Sequence, residues 1–272
     1  MNHCANFPPS FLLLQQEGHL ISSSLSLGLT ELRTANVHNK GSFYSSLLNL
    51  SVGMERLMKA IIIMQHMIDN NLSVPTKKQL RNYGHNIIEL YDECVKISVT
   101  NSVTLPDRSS LNNTNQELLT LLSNFAQTTR YHNLDALSAQ QTGKDPLEHW
   151  GEIMLLILKQ DVTQHQRDKV LGQARMVANA IDDISITTMQ GLNKKPLTTE
   201  DALALPGLHD KAVKYAVLHL INMISPIRDL ISTLSHLAYD LDVAQPPFPQ
   251  MQEFLEWIWD DRQYVLRKKK WP

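Results

Sequence analysis

Glycine and proline are scarce, at 10 and 12 of 272 residues. That scarcity argues against a collagenous, disordered or turn-rich all-β chain. Cysteine is scarcer still. Cys4 and Cys94 make no disulfide framework and, alone, no zinc site, so they read as reduced thiols. A basic excess is missing as well: the formal net charge is −2. Proteins that grip nucleic acid without sequence preference carry a clear positive surplus, so any such contact here must be local. The one basic cluster is Arg267, Lys268, Lys269 and Lys270, near the end. No run reaches the ~18 apolar residues of a membrane span. Phe11 to Leu14 is a short apolar burst without the basic start of a signal peptide. The expectation is a soluble, cytoplasmic protein with no membrane partner.

Several motifs are absent too. There is no GxxxxGK[ST], no GxGxxG ahead of a helix, no HExxH, no CxxC and no GxSxG. The common nucleotide-binding, zinc-protease and hydrolase classes lose their usual signatures. No cofactor is expected.

What is abundant is helix-forming material. Leu, Met, Ala, Gln and Glu recur in long runs, and 43% of the chain is hydrophobic. Pro8 and Pro9 predict an irregular start through residue 16. Leu20, Ile21, Leu25, Leu29 and Leu32 then fall on one helical face. The stretch from 42 to 70 is apolar over most of its circumference, which predicts a buried central helix roughly 43 Å long at about 1.5 Å per residue. Further helices are expected from Thr76 to Tyr83, His85 to Val99, Asn115 to Thr128, 146 to 159 and 163 to 183. Pro206-Gly207 is expected to end a short helix that begins at Thr199. A long apolar helix follows from Leu208 to Asp240, and an aromatic one from Met251 to Asp260. The fold class is all-α, a helical bundle over 1–140 followed by a second helical region over 141–272.

Three polar motifs interrupt this apolar pattern. Glu55, Arg56 and Lys59 sit inside the most apolar helix. Glu55 and Lys59, one turn apart, are either an ordinary ion pair or part of a wet cleft, because a charge in such a helix must find a partner. Tyr83-Gly84-His85-Asn86 opens a helix and places His85 where it can exchange protons near neutral pH. His85 with Glu89, Asp92 and Glu93 is also conceivable as a metal face. Arg130-Tyr131 precedes Asp135; Arg130 can fork onto a phosphate or carboxylate, or pair with Asp135 as a strut. In the second half, Asp182-Asp183 reads as a turn. Trp257 and Trp259, with the basic run behind them, read as a docking element.

The combination FYSSLLNLSVGMERLMK, YGHNIIELYDE and RYHNLD resembles helical proteins of the broad HEPN class, over about residues 20–137. The resemblance implies a bundle of four or five helices, often dimeric, of the kind met in bacterial antiphage defence and toxin genes. Many members of that class cut RNA without metal and leave a 2′,3′-cyclic phosphate; others are inactive binding or assembly modules. From the three polar motifs themselves, His85, Arg130 and Tyr131 are the expected catalytic residues, and Glu55, Arg56, Lys59, Asn86 and Asp135 the expected substrate contacts. The partners would be RNA, a second copy of the chain, or a protein docked through the C-terminal segment. The class signature, Arg followed after four to six residues by His, departs here: the one match, Arg33 to His38, lies at the other end of the bundle.

Overall fold

The computed structural model describes residues 7–140, 143–181, 183–241 and 246–272. Cys4, Asp182 and Gln245 lie outside them, as does part of the stretch around 141. Among the described residues, ten α-helices run in order: α1 (Pro9–Thr34), α2 (Gly41–Asp69), α3 (Lys77–Asn82), α4 (Ile87–Thr100), α5 (Asn113–Gln127), α6 (His132–Leu137), α7 (Pro146–Gln160), α8 (Gln164–Ile181), α9 (Thr199–Tyr239) and α10 (Arg262–Arg267). The fold is all-α; among the described residues the only β pairing is two isolated bridges.

Polar side chains at their first turns fix most helix starts. Thr76 and Gln79 form a reciprocal capping box at α3. Asn86, Asn112 and Thr198 accept first-turn backbone N–H groups of α4, α5 and α9. Two expectations about proline need correcting. Pro8 and Pro9 do not delay the first helix: α1 begins at Pro9, where a missing N–H costs nothing because that donor has no intrahelical partner. Pro206 does not end a helix either, and α9 runs for 41 residues through Pro206 and Pro226. Each proline removes one backbone bond and crowds one carbonyl. The flanking buried face, from Ala202 and Ala204 to Ile227 and Leu230, keeps the helix in place.

The C-terminal aromatic segment is also not an α-helix. Met251–Leu255 is a 3₁₀ turn, and the last helix is α10, which begins beyond it. Trp257 lies against α1, its Nε1 donating to Ser22 Oγ at 2.9 Å. The final segment returns to α1 as well: Trp271 is buried, and its backbone N–H donates to Thr30 Oγ1 at 2.9 Å.

α1 and α2 pack antiparallel at close range. Ser46 Oγ donates to the Gly28 carbonyl at 2.9 Å. A Cβ at Gly28 would stand 2.7 Å from Leu50 Cγ and 2.8 Å from the Leu50 backbone nitrogen. Backbone cannot yield as a side-chain end can, so Gly28→Ala is expected to destabilise the protein by about 1–3 kcal/mol despite alanine's better helix propensity. Urea unfolding measures this; an unchanged or raised midpoint would show that the two helices have slack.

The core runs across residue 140. One buried hydrophobic cluster extends from Leu14 and Phe43 through Trp150 to Ile224, Phe248 and Trp271. Within it His209 packs edge-on against Phe43, with ring centroids 5.2 Å apart. Burial pushes its imidazole down to about 4; Asp210 opposes that shift and Arg33 adds to it. The unfolded chain therefore takes up the proton first as pH falls. This contribution to stability is complete above about 6.5 and drains away towards about 4, a loss on the order of 3 kcal/mol. His209→Gln is expected to flatten the fall in unfolding free energy between pH 7 and pH 4.5. Parallel slopes for the two proteins would rule out a buried neutral imidazole.

Candidate functional site

The middle of α2 carries the groove's central carboxylate. Glu55 lies between the buried Met54 and Leu57, with its side chain 15% exposed. Lys59, one turn on, places Nζ 2.8 Å from Glu55 Oε1 and 2.6 Å from the Gly84 carbonyl. That lysine pins the α3–α4 turn to α2. The turn requires a left-handed residue, and Gly84 supplies it with φ +52°. His85 follows, and its Nδ1 stands 3.1 and 3.0 Å from the two Glu55 oxygens.

α4 then starts under the control of Asn86. Its Oδ1 accepts from Glu89 N–H at 3.3 Å and from Ser123 Oγ at 3.1 Å, which ties α4 to α5. Beyond α5, the 3₁₀ turn Thr129–Tyr131 brings Arg130 to the same place. Arg130 Nη2 donates to the Ala126 carbonyl at 3.0 Å. Arg56, on α2, pairs with Glu17 of α1 at 2.6 Å.

Five of the eight expected site residues, Glu55, Arg56, Lys59, His85 and Arg130, line one groove of about 460 Å³, with Glu17 at its edge and Leu14, Val52, Ala60 and Ile63 as apolar wall. The other three do not line it. Asn86 is the cap of α4. Tyr131 is 59% exposed and lines none of this groove. Asp135 sits on α6, and among the described residues no ion pair joins it to Arg130; the guanidinium has turned to the α5 carbonyl instead. The expected Arg130–Asp135 strut is therefore not formed.

Glu17 is the groove residue that sequence reasoning missed, because it falls at the edge of the stretch expected to be irregular. The signal for it is a second carboxylate, Glu31, about four helical turns along the same α1 face. Glu31 accepts from Ser45 Oγ at 2.9 Å and Asn49 Nδ2 at 3.0 Å, so α1 presents a ladder of carboxylates to α2.

The conceivable metal face dissolves. His85 faces Glu55, whereas Glu89, Asp92 and Glu93 line a different groove of about 520 Å³ with His66 and Lys96. Arg33 and His38, which match the class signature in spacing, do not line a common groove: Arg33 lines one that excludes His38, which is exposed.

The groove can perform a limited chemistry. A carboxylate that accepts Nδ1–H fixes the imidazole's orientation and leaves Nε2 as the proton acceptor. Three cations, Arg56, Lys59 and Arg130, face two carboxylates, Glu17 and Glu55. Lys59 and Arg56 are already paired within the protein. Arg130 keeps most of its donors, enough to receive one anionic group.

Comparison with known proteins gives no match: no family model, no curated protein and no solved structure is significantly similar to this chain.

Proposed function

We propose that this groove is a metal-independent phosphodiester-cleaving site that acts on RNA, in an effector of the bacterial defence or toxin kind. The observation that carries the reading is His85 held through Nδ1 by both oxygens of Glu55, in the groove that Arg130 also lines. His85 takes the proton of a ribose 2′-hydroxyl. The freed oxygen attacks the adjacent phosphorus, the P–O5′ bond breaks, and the departing O5′ takes a proton from water, the His85 imidazolium returning its own to solvent. Arg130 balances charge on the five-coordinate phosphoryl group, and Arg56 and Lys59 supply the surrounding field. The products are a 2′,3′-cyclic phosphate and a 5′-hydroxyl. The test is the purified chain on a panel of RNAs that includes tRNA, in excess chelator, with the ends of any fragments identified. Intact RNA across the panel, or fragments ending in 3′-hydroxyls, would count against the reading.

A second reading has its own support. Lys59 bridges Glu55 to the Gly84 carbonyl, and Arg56 is paired with Glu17; both are ties between segments. In that reading the groove braces a non-catalytic module that binds a partner protein or a second copy of the chain. Trp259, 59% exposed, offers an aromatic face for such a contact.

A further inference from the structure

At the opposite end of α1, a second groove of about 260 Å³ lies where the chain leaves α1, against α9 and the C-terminal segment. Its floor holds an electrostatic anomaly. Arg33 is 8% exposed, and its Nε has no hydrogen-bond partner. Its one ion pair among the described residues is loose: Asp210 Oδ1 stands 3.8 Å from Nη1, on a side chain 68% exposed. A buried guanidinium normally has its fork filled, because an unpaired buried charge costs several kcal/mol. His209, beside it, also leaves a buried Nε2 without a partner.

The surroundings deepen the anomaly. Lys269 lines the same groove, carried there by the segment that Trp271 anchors on α1. Lys214, on α9, has its ammonium pushed down by burial, then by Lys211 and Arg33, against the opposing pull of Asp210. In a chain whose net charge is −2, this is a local concentration of cations around one weakly engaged carboxylate. From α9, Pro206 and Val213 add apolar lining, and Asp210 is the carboxylate that lines the groove.

We propose that this groove is a binding site for a phosphoryl group, either free phosphate or the end of a small phosphomonoester. Arg33 supplies the planar fork that matches two phosphoryl oxygens, and Lys269 supplies a mobile ammonium from the rim. Binding displaces Asp210 from its loose contact with Arg33. The site does not depend on the groove around His85, and RNA cleavage is not needed to detect it.

The experiment is calorimetric and thermal titration of the full chain with inorganic phosphate, and separately with glycerol phosphate and a nucleoside 5′-monophosphate, at constant ionic strength set by chloride. Saturable binding and a rise in melting temperature are expected. Lys269→Gln should weaken binding about tenfold, the scale of one lost charge-assisted contact. Asp210→Asn should tighten it, because the competing carboxylate is gone. Arg33→Leu should abolish binding yet melt no lower than the ligand-free parent, because an apolar side chain replaces a weakly paired buried charge. If Arg33→Leu fails to fold, the opposite responses of the Lys269 and Asp210 variants still decide. Tighter binding of the monoesters than of phosphate assigns the apolar wall to the ester group; the reverse order assigns the site to free phosphate. The proposal is overturned if phosphate does no more than matched chloride, or if the Lys269 and Asp210 variants bind it as the parent does.

Discussion

His85→Ala is expected to lower RNA cleavage by about 10²–10⁴-fold, the range for loss of a positioned general acid or base, with little change in melting temperature. The separation follows from where the side chain lies. His85 is 65% exposed on its side chain, and among the described residues its polar contact is with Glu55 alone. Removing it leaves no cavity, and Glu55 keeps Lys59 at 2.8 Å. Glu55→Gln behaves differently. The amide keeps the shape, but Lys59 loses its counter-charge, and the imidazole loses the acceptor that fixes its orientation. Activity should fall by less than in His85→Ala, and stability should fall measurably. Arg130→Ala should resemble His85→Ala, because among the described residues the side chain bonds the protein only at the Ala126 carbonyl of the preceding helix, α5. If instead His85→Ala and Arg130→Ala lower the melting temperature by several degrees, and no RNA is cut by the parent, the groove is a brace.

The helices that the sequence predicted well are those whose pattern is local. α2 is buried on most faces and reads as such from its composition alone, and the short helix expected from Thr76 is α3, with Thr76 as its cap. What was not legible depended on partners distant in the chain. Pro206 looks like a terminator because its missing N–H is a local fact; the buried face that carries α9 past it is a tertiary one. Trp257 looked free for a partner because the sequence does not show that Ser22 will receive its N–H. In the groove, Glu55, Lys59 and His85 stood out because charge in an apolar helix and histidine after glycine are anomalies in one dimension. Asp135 is a neighbour of Arg130 in sequence. It is the clearest example of what spacing leaves out, since one turn of 3₁₀ helix sends the guanidinium to Ala126 instead.

Trp150→Ala is expected to cost about 3–5 kcal/mol, a large part of the 5–15 kcal/mol that holds a typical domain together. Trp150 is 1% exposed and meets Phe43 of α2 at 5.9 Å and His209 of α9 at 6.1 Å between ring centroids. Truncation would open a cavity at the junction of three helices drawn from both halves of the chain. Its indole N–H is buried without a partner, so part of the wild-type side chain is already a liability. Trp150→Phe, which keeps most of the ring volume and removes that N–H, should therefore cost far less. How the loss appears also bears on the expected division near residue 140. With one core shared between α2, α7 and α9, Trp150→Ala should lower a single transition in which helical signal and tryptophan fluorescence change together. Two transitions, with the earlier one confined to the second half, would mean that the two regions fold separately and that Trp150 belongs to one of them alone.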